Sequence, residues 1–524
     1  VKKIVVATYK LEVDWDNNGE FGDVSFPLSF PVTWGSGGLI ASDRVRSVTC
    51  GFGRDRASQL TGKSKAGTLK ATLDNRSGDY SSFNTSSPLY GKILPGRPVR
   101  LSATSAAQSN IVIWQGYLSR ITPVAHTGGD STALLEAHGP LQQVNLDQVA
   151  VPMVTSQRTD QVIDDILDAA GWGAGSDYRS LDEGQTTITR YWADRTYTVP
   201  ALQEIESTEG GFIREGKTGK IIFDDRHHRL SGAALVSQAT FSDASGASLP
   251  YTGIIQDDYL PHIFNIFEAD VQTYTTGSVA VLWTLSETGS DSPAIAPGVA
   301  RTFVARYPST GSGNTAMGVN AWTTTAATTD MTASAAAGSG TELTGDVGIS
   351  VSKSSETMDI QLTNNGAVTL YITKLQARGT PVTSDDPVTI KAEDSTSQTA
   401  FGKRTWPSKT KFIPTTTEAL DWADYNVGIY KDPTATLKLT YIANRNQTAL
   451  DEMITRNVSD RITVVANNNA NLGINAGFFV EAITHNIGPD RTHKVQYLIS
   501  DAVQFSDFWV LNTSTLGVNT RLAY

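Results

Sequence analysis

Cysteine is nearly absent: of 524 residues only Cys50 carries a thiol, so no disulfide can close within the chain and no zinc site can be assembled from several thiolates. Such a chain can mature in a reducing cytoplasm. Basic charge is scarce too. The 42 Lys and Arg are outnumbered by 53 Asp and Glu, a formal net charge of −11. With no Lys/Arg cluster to neutralise phosphates, a specific nucleic-acid partner is not expected. Long apolar runs are missing. Nothing approaches the roughly 20 residues of a membrane-spanning helix, and the run after Lys2-Lys3 is too short for a secretion signal, so no membrane anchor is expected. Low charge does not mean disorder: 39% hydrophobic residues against 18% charged ones are enough for folded cores, and a chain this long divides into roughly three to five domains.

Strand signals are what the chain has in abundance. Val99-Arg100-Leu101-Ser102-Ala103 and Leu437-Lys438-Leu439-Thr440-Tyr441 alternate with period two, the pattern of half-buried strands. Two helices stand out. One is predicted from Thr159 to Ala170, with Val162, Ile163, Ile166, Leu167 and Ala170 on one face and Gly171 as a left-handed stop. The other starts at Thr415, whose spacing to Glu418 is that of a capping box. A third, shorter one is expected over Ala201 to Thr208. From Val271 to Arg378 Thr, Ser, Ala and Gly dominate, which reads as an inserted all-β sandwich with its loosest loop over Thr323–Gly340 and an exit linker at Gly379–Pro387.

Several motifs invite chemical readings. Gly211-Phe212-Ile213-Arg214-Glu215-Gly216-Lys217-Thr218 matches the phosphate-loop pattern letter for letter. That loop needs a helix after it, whereas Gly219-Lys220-Ile221-Ile222-Phe223 is strand-like, so a hairpin turn is expected. Asp14, Asp16 and Asn18 have the alternation of a calcium loop, with Glu20 and Asp23 as further oxygen donors. Ser25 stands where such a loop carries a bidentate Glu, and an Asn-Gly hairpin turn is the competing reading. Calcium is the one cofactor the sequence suggests. Asp224-Asp225-Arg226-His227-His228-Arg229 gathers acid/base and metal-ligating groups. Neighbours on a strand point to opposite faces, so a strand-end cluster of solvated charges is expected there. Cys50 reads as a small buried hydrophobe, and Trp283, Trp322, Trp406 and Trp509 as core residues rather than sugar platforms. No H-E-x-x-H or G-x-S-x-G pattern is present, and no enzyme activity is expected.

The run Asp74-Asn75-Arg76-Ser77-Gly78-Asp79-Tyr80 through Ser87-Pro88-Leu89-Tyr90-Gly91-Lys92-Ile93-Leu94-Pro95-Gly96-Arg97-Pro98 resembles the N-terminal domain of minor tail proteins of long-tailed bacteriophages. The sequence before it, from Val13-Asp14-Trp15-Asp16 through Gly53-Arg54-Asp55-Arg56-Ala57, resembles that domain too. Gly210-Gly211-Phe212-Ile213 with Gly219 to Arg226 resembles the hairpin of a tail hub, and Gly477-Phe478-Phe479-Val480-Glu481 through Ile487, with Trp509-Val510-Leu511 and Leu516 to Leu522, resembles the second hub barrel and its tail. The resemblance covers the two flanks and leaves the middle unmatched. It implies hub-type barrels in the flanks, over 1–147 and over 259–270 with 388–524; together with the α+β domain over 148–258 and the inserted sandwich over 271–387 read from the residues, the chain is expected to be mainly β with minor α+β. It further implies a structural protein of the virion, at the tail tip, assembled in the host cytoplasm. Such a protein is a homotrimer that contacts a distal tail or tail-tube protein, the tape measure protein and receptor-binding or fibre proteins. Two other functions compete, a glycan-binding adhesin acting through the sandwich and a tail-borne cell-wall hydrolase.

Overall fold

A computed structural model describes residues 7–19, 21, 45–55, 60, 62–230, 232–257, 262–308, 316–407, 412–433, 436–490 and 492–502. Period-two sequences become strands with one wet and one dry face. In Ser64–Asp74 the residues Gly67, Leu69, Ala71 and Leu73 are buried while Lys65, Thr68 and Lys70 face outward. The two strands read from alternation appear as Pro98–Thr104 and Thr436–Ile442.

These strands belong to one 12-stranded sheet. From one edge it runs Thr8–Val13, Pro98–Thr104, Ile111–Val124, Thr132–His138, Ser64–Asp74 and Val45–Arg54. It continues through Ile474–Ile487, His493–Asp501, Thr436–Ile442 and Gly253–Asp257, while Arg461–Ala466 branches from Ile474–Ile487 and carries Thr240–Ser242. The seam between the N- and C-terminal flanks is antiparallel, from Val48 opposite Ile487 to Gly53 opposite Ala482. Gly53 sits at φ +116°, and a Cβ there would lie 2.5 Å from the Glu481 carbonyl oxygen and 2.6 Å from the Ala482 Cα. No other residue fits that approach. One apolar core, from Tyr9 and Trp114 to Tyr441 and Tyr497, is shared by both flanks, and Cys50 is buried in it. The turn-rich run after Asp74 anchors on the same core through Tyr80 and Leu89. Ser87 Oγ donates to the Asp79 carbonyl at 2.7 Å, and Phe83 is left 93% exposed.

The α+β part packs against this sheet. Helix Thr159–Ala169 buries Val162, Ile163, Ile166 and Leu167, and Gly171 follows at φ +68° as the expected stop. The third helix is longer than expected, Thr198–Glu209, ending on Gly210 at φ +71°. Phe212–Glu215 and Ile221–Asp224 form an antiparallel hairpin closed by Gly216 N–H to the Lys220 carbonyl, 2.8 Å, so the phosphate-loop match is a turn. The Thr415 hydroxyl caps helix Thr416–Tyr430 by accepting the Glu418 N–H at 3.2 Å.

The inserted segment is a β-sandwich. A seven-stranded sheet organised on the long strand Leu370–Ser384 faces a three-stranded sheet of Ala300–Arg306, Thr357–Asn364 and Val347–Lys353. Phe303, Met358 and Ile360 meet Met331, Ile372 and Leu375 between them. Two expectations are corrected here. The first part of the stretch read as an exit linker, Gly379 to Ser384, is the end of strand Leu370–Ser384, because Thr380, Val382 and Thr383 have the β-branched chains that fit a paired strand, and only Asp385 to Pro387 lie outside it. The Ala/Thr-rich stretch read as a loop contains strand Met331–Ala336, with Met331 and Ala333 fully buried and Asp330 paired to Arg378 at 2.6 Å. The chain enters and leaves the sandwich as an antiparallel ribbon. Ile266–Val271 pairs with Val388–Glu393, and Tyr274–Thr276 pairs with the end of Leu370–Ser384.

Candidate functional site

The chemically dense region is a set of buried ion pairs where the hairpin, the α+β part and the seam of the large sheet converge. Glu481 interrupts the apolar run Phe478-Phe479-Val480 and is completely buried. Arg229 grips it with two bonds of 2.7 and 3.1 Å and gives a third to Ser459 Oγ at 3.0 Å. Ser500 Oγ donates to the same carboxylate at 2.6 Å. Arg54, from the seam strand, reaches Glu206 at 3.5 Å and Glu481 at 4.0 Å. Phe212 of the hairpin lies under both guanidiniums, 4.3 Å from Arg54 and 4.5 Å from Arg229, a cation–π contact made strong by burial. Burial pushes the Glu481 carboxyl up, but Arg229, Arg54 and Ser500 outweigh it and hold it below its ordinary value.

A second layer fixes the hairpin. Arg214 holds Asp224 with bonds of 2.6 and 3.0 Å. Glu215, wholly buried, accepts N–H groups from Gly67 at 2.7 Å and Leu141 at 2.8 Å, tying the hairpin to two other segments. Glu209 likewise accepts from Thr159 Oγ1 at 2.8 Å and the Thr186 N–H at 2.9 Å. The Arg229 and Arg54 contacts to Glu481 and Glu206 and the Glu215 bonds to Gly67 and Leu141 tie three parts of the chain together, since the buried Glu481 is compensated only when its arginines are docked.

This corrects the expectation for Asp224 to Arg229. Asp224, Asp225, Arg226 and Arg229 are buried rather than solvated. The strand ends at Asp224, and the chain turns into a short 3-10 segment, His228–Leu230, that carries the charges inward. The Asp182, Asp224 and His228 ligand atoms lie within 4.8 Å of one another, the one such group of three among the described residues. Its members are already engaged, Asp224 with Arg214 and Asp182 with His228 Nδ1 at 2.7 Å. Burial lowers the His228 imidazole, but the Asp182 hydrogen bond and the Asp224 charge raise it further, and the net direction is upward.

The calcium candidates are placed as follows. Asp14 is buried, and its carboxylate accepts the Gly19 N–H at 2.9 Å and the Asn18 N–H at 3.3 Å. Asp16 pairs with Lys92 at 3.0 Å. Glu20 and Asp23 lie outside the described residues, as do Trp509 and Leu516 to Leu522. Lys217, which a phosphate loop would aim at a nucleotide, instead donates to the Ile454 carbonyl at 2.7 Å, at the end of helix Gln447–Thr455. Reasoning from sequence missed Arg54, Glu206, Glu209 and Glu481 as a network. The signal for Glu481 was available: a carboxylate inside an apolar strand must have a buried partner.

Fold and geometry together define a class, mainly β with a smaller α+β part, in which a hairpin is clamped by buried ion pairs against a sheet shared by both ends of the chain. The same fold is found in a tail protein from Neisseria meningitidis MC58, at 8% identity, with 96% of this chain and 98% of that one covered and a TM-score of 0.50. Also similar are a 43 kDa tail protein of prophage MuSo2 from Shewanella oneidensis (9% identity, 95% and 99% covered, TM-score 0.46) and prophage tail protein gp18 from Listeria monocytogenes EGD-e (7%, 94% and 94%, TM-score 0.40). No family model matches the chain, and no curated protein sequence matches it. The resemblance to tail proteins read from the sequence is thus carried by the fold.

Proposed function

We propose that the chain is a structural hub of a phage tail, joining the tail tube to the host-adhesion apparatus. One observation carries the reading: a fold shared along 96% of the chain with a tail protein from Neisseria meningitidis MC58. The seam at Val48–Gly53 supports it, because a sheet continuous through both flanks makes one stiff unit suited to assembly. In this reading three copies associate, a distal tail or tail-tube protein and the tape measure protein meet one face, and receptor-binding or fibre proteins meet the other. The role is structural and involves no catalysis. Light scattering on the purified protein is expected to give the mass of three protomers, and labelled virions in the electron microscope are expected to carry it at the distal tail end. A monomer at high concentration together with absence from purified tails would sink the proposal.

A further inference from the structure

Strand Thr187–Tyr197 pairs with Gln148–Arg158 in a two-stranded sheet at the surface of the α+β part. Tyr191 and Ala193 point into the core of that part. The alternate residues Arg190, Trp192 and Asp194 are half-buried, and their side chains meet the inserted sandwich. Arg190 donates to Asn320 Oδ1 at 3.0 Å and to Thr276 Oγ1 at 2.5 Å. Trp192 Nε1 donates to Glu356 Oε1 at 3.2 Å, and the indole meets Tyr274 edge to face, with ring centroids 5.7 Å apart. Asp194 accepts long bonds from Ser354 Oγ at 3.3 Å and Thr357 Oγ1 at 3.4 Å.

This contact is of a kind that opens. Among the described residues, the buried apolar side chains of the sandwich form one cluster and those of the α+β part another, with no member in common. What joins them is polar, and each such bond is exchanged for one to water on separation, so the net hold is small. A repulsion is built in as well. Burial and then the Asp194 charge push the Glu356 carboxyl up, against the Trp192 N–H bond and the Arg306 charge.

The ribbon that carries the sandwich is interrupted on both strands at one level. Strand structure stops after Val271 and resumes at Tyr274, and on the returning strand it stops after Ser384 and resumes at Val388. Pro387 has no N–H to give to a ladder. Asp385 spans the break instead: its N–H donates to the Thr273 carbonyl at 3.0 Å, and its carboxylate accepts the Thr273 and Thr275 hydroxyls at 3.0 and 3.3 Å. Two short breaks side by side, each flanked by regular strand, are where a two-stranded ribbon bends. We propose that the sandwich is a hinged module, clasped onto Arg190, Trp192 and Asp194 in one state and swung away as a unit about residues 272–273 and 385–387 in the other. The two states are independent of the hub reading, since the clasp and the hinge lie within one chain.

Pulsed electron paramagnetic resonance on the full chain tests it, with nitroxides at Leu146→Cys on the body and Val368→Cys on the sandwich, both exposed positions, while the native Cys50 is buried. A second pair, Val281→Cys with Val368→Cys, lies within the sandwich and reports its internal fold. Arg190→Ala is expected to lower the ratio of docked to swung-out molecules at least about tenfold, seen as a longer and broader body-to-sandwich distance. Adding Glu356→Gln keeps an acceptor for the Trp192 indole and removes the repulsion with Asp194, so part of the docked share should return. The internal distance should stay the same in every variant. An unchanged body-to-sandwich distance in Arg190→Ala overturns the hinge, and so does an internal distance that broadens with it, which would mean unfolding rather than swinging. A docked share that falls further on adding Glu356→Gln overturns the clasp.

Discussion

Glu481 shows what a single charged residue does in a strand interior. Alone in an apolar wall it could not stay ionised, and with Arg229, Arg54 and Ser500 around it the carboxylate is held ionised. Arg229→Met leaves that charge without its main partner and is expected to cost about 3–5 kcal/mol. The double variant Arg229→Met/Glu481→Leu should recover much of the loss, as judged by thermal melting of both proteins. Two buried groups titrate in opposite senses. Burial pushes the Glu215 carboxyl from an ordinary 4.5 to about 7, against the N–H groups of Leu141 and Gly67. A value raised on folding means that the stabilisation is complete below the unfolded value and is lost as pH climbs through 7. Burial drives His485 the other way, from 6.5 to about 3, so its contribution is complete above 6.5 and drains away as pH falls toward 3. Glu215→Gln is therefore expected to flatten the fall in melting temperature between about pH 5 and pH 8, with the acid limb unchanged. Gly53→Ala meets a backbone that cannot yield, and opening of the seam should show as faster hydrogen exchange across Val48–Gly53.

The elements divide by whether their cause is local. Helix Thr159–Ala169 was legible because its apolar stripe and its Gly171 stop are written in consecutive residues. The hairpin at Phe212–Asp224 was legible because a strand-like run follows the glycines where a phosphate loop needs a helix. Helix Gln447–Thr455 was not read. Its Asn446 cap, which accepts the Ala449 N–H at 2.7 Å, was within view, but nine residues barely complete two and a half turns. Much of its support is tertiary: Lys217, from 237 residues away, caps its last carbonyls. Lys217→Met is expected to loosen this helix by about 0.5–1 kcal/mol, read as faster amide exchange at Met453 to Thr455 with the hairpin unaffected. Strand Leu370–Ser384 was obscured for a related reason. Gly379 and Pro381 look like linker residues locally, and only the strands laid beside them make the segment a sheet centre. The buried ion network was least legible, since charge compensation between Arg54, Glu206, Arg229 and Glu481 is a fact about distance in space.

At the scale of the whole molecule, the insertion begins and ends at one place. The Asp385 N–H donates to the Thr273 carbonyl at 3.0 Å, so the two ends are already joined. Its core, from Leu285 to Ala377, is its own. Replacing residues 274–384 by a short Gly/Ser turn is expected to leave a folded body whose melting temperature stays close to that of the parent. A body that aggregates on excision would show instead that the sandwich is part of the scaffold.

The entry and exit strands have a mechanical consequence. Both run out from the body side by side, Ile266–Val271 against Val388–Glu393, and both are anchored at the same end. Traction on the sandwich therefore stretches two covalent backbones in parallel. Neither strand is pulled past the other or peeled from it, so the hydrogen bonds between them carry almost none of the load; once side-chain bonds to the body such as Trp192 Nε1 to Glu356 Oε1 at 3.2 Å have parted, the sandwich is tethered by its peptide bonds.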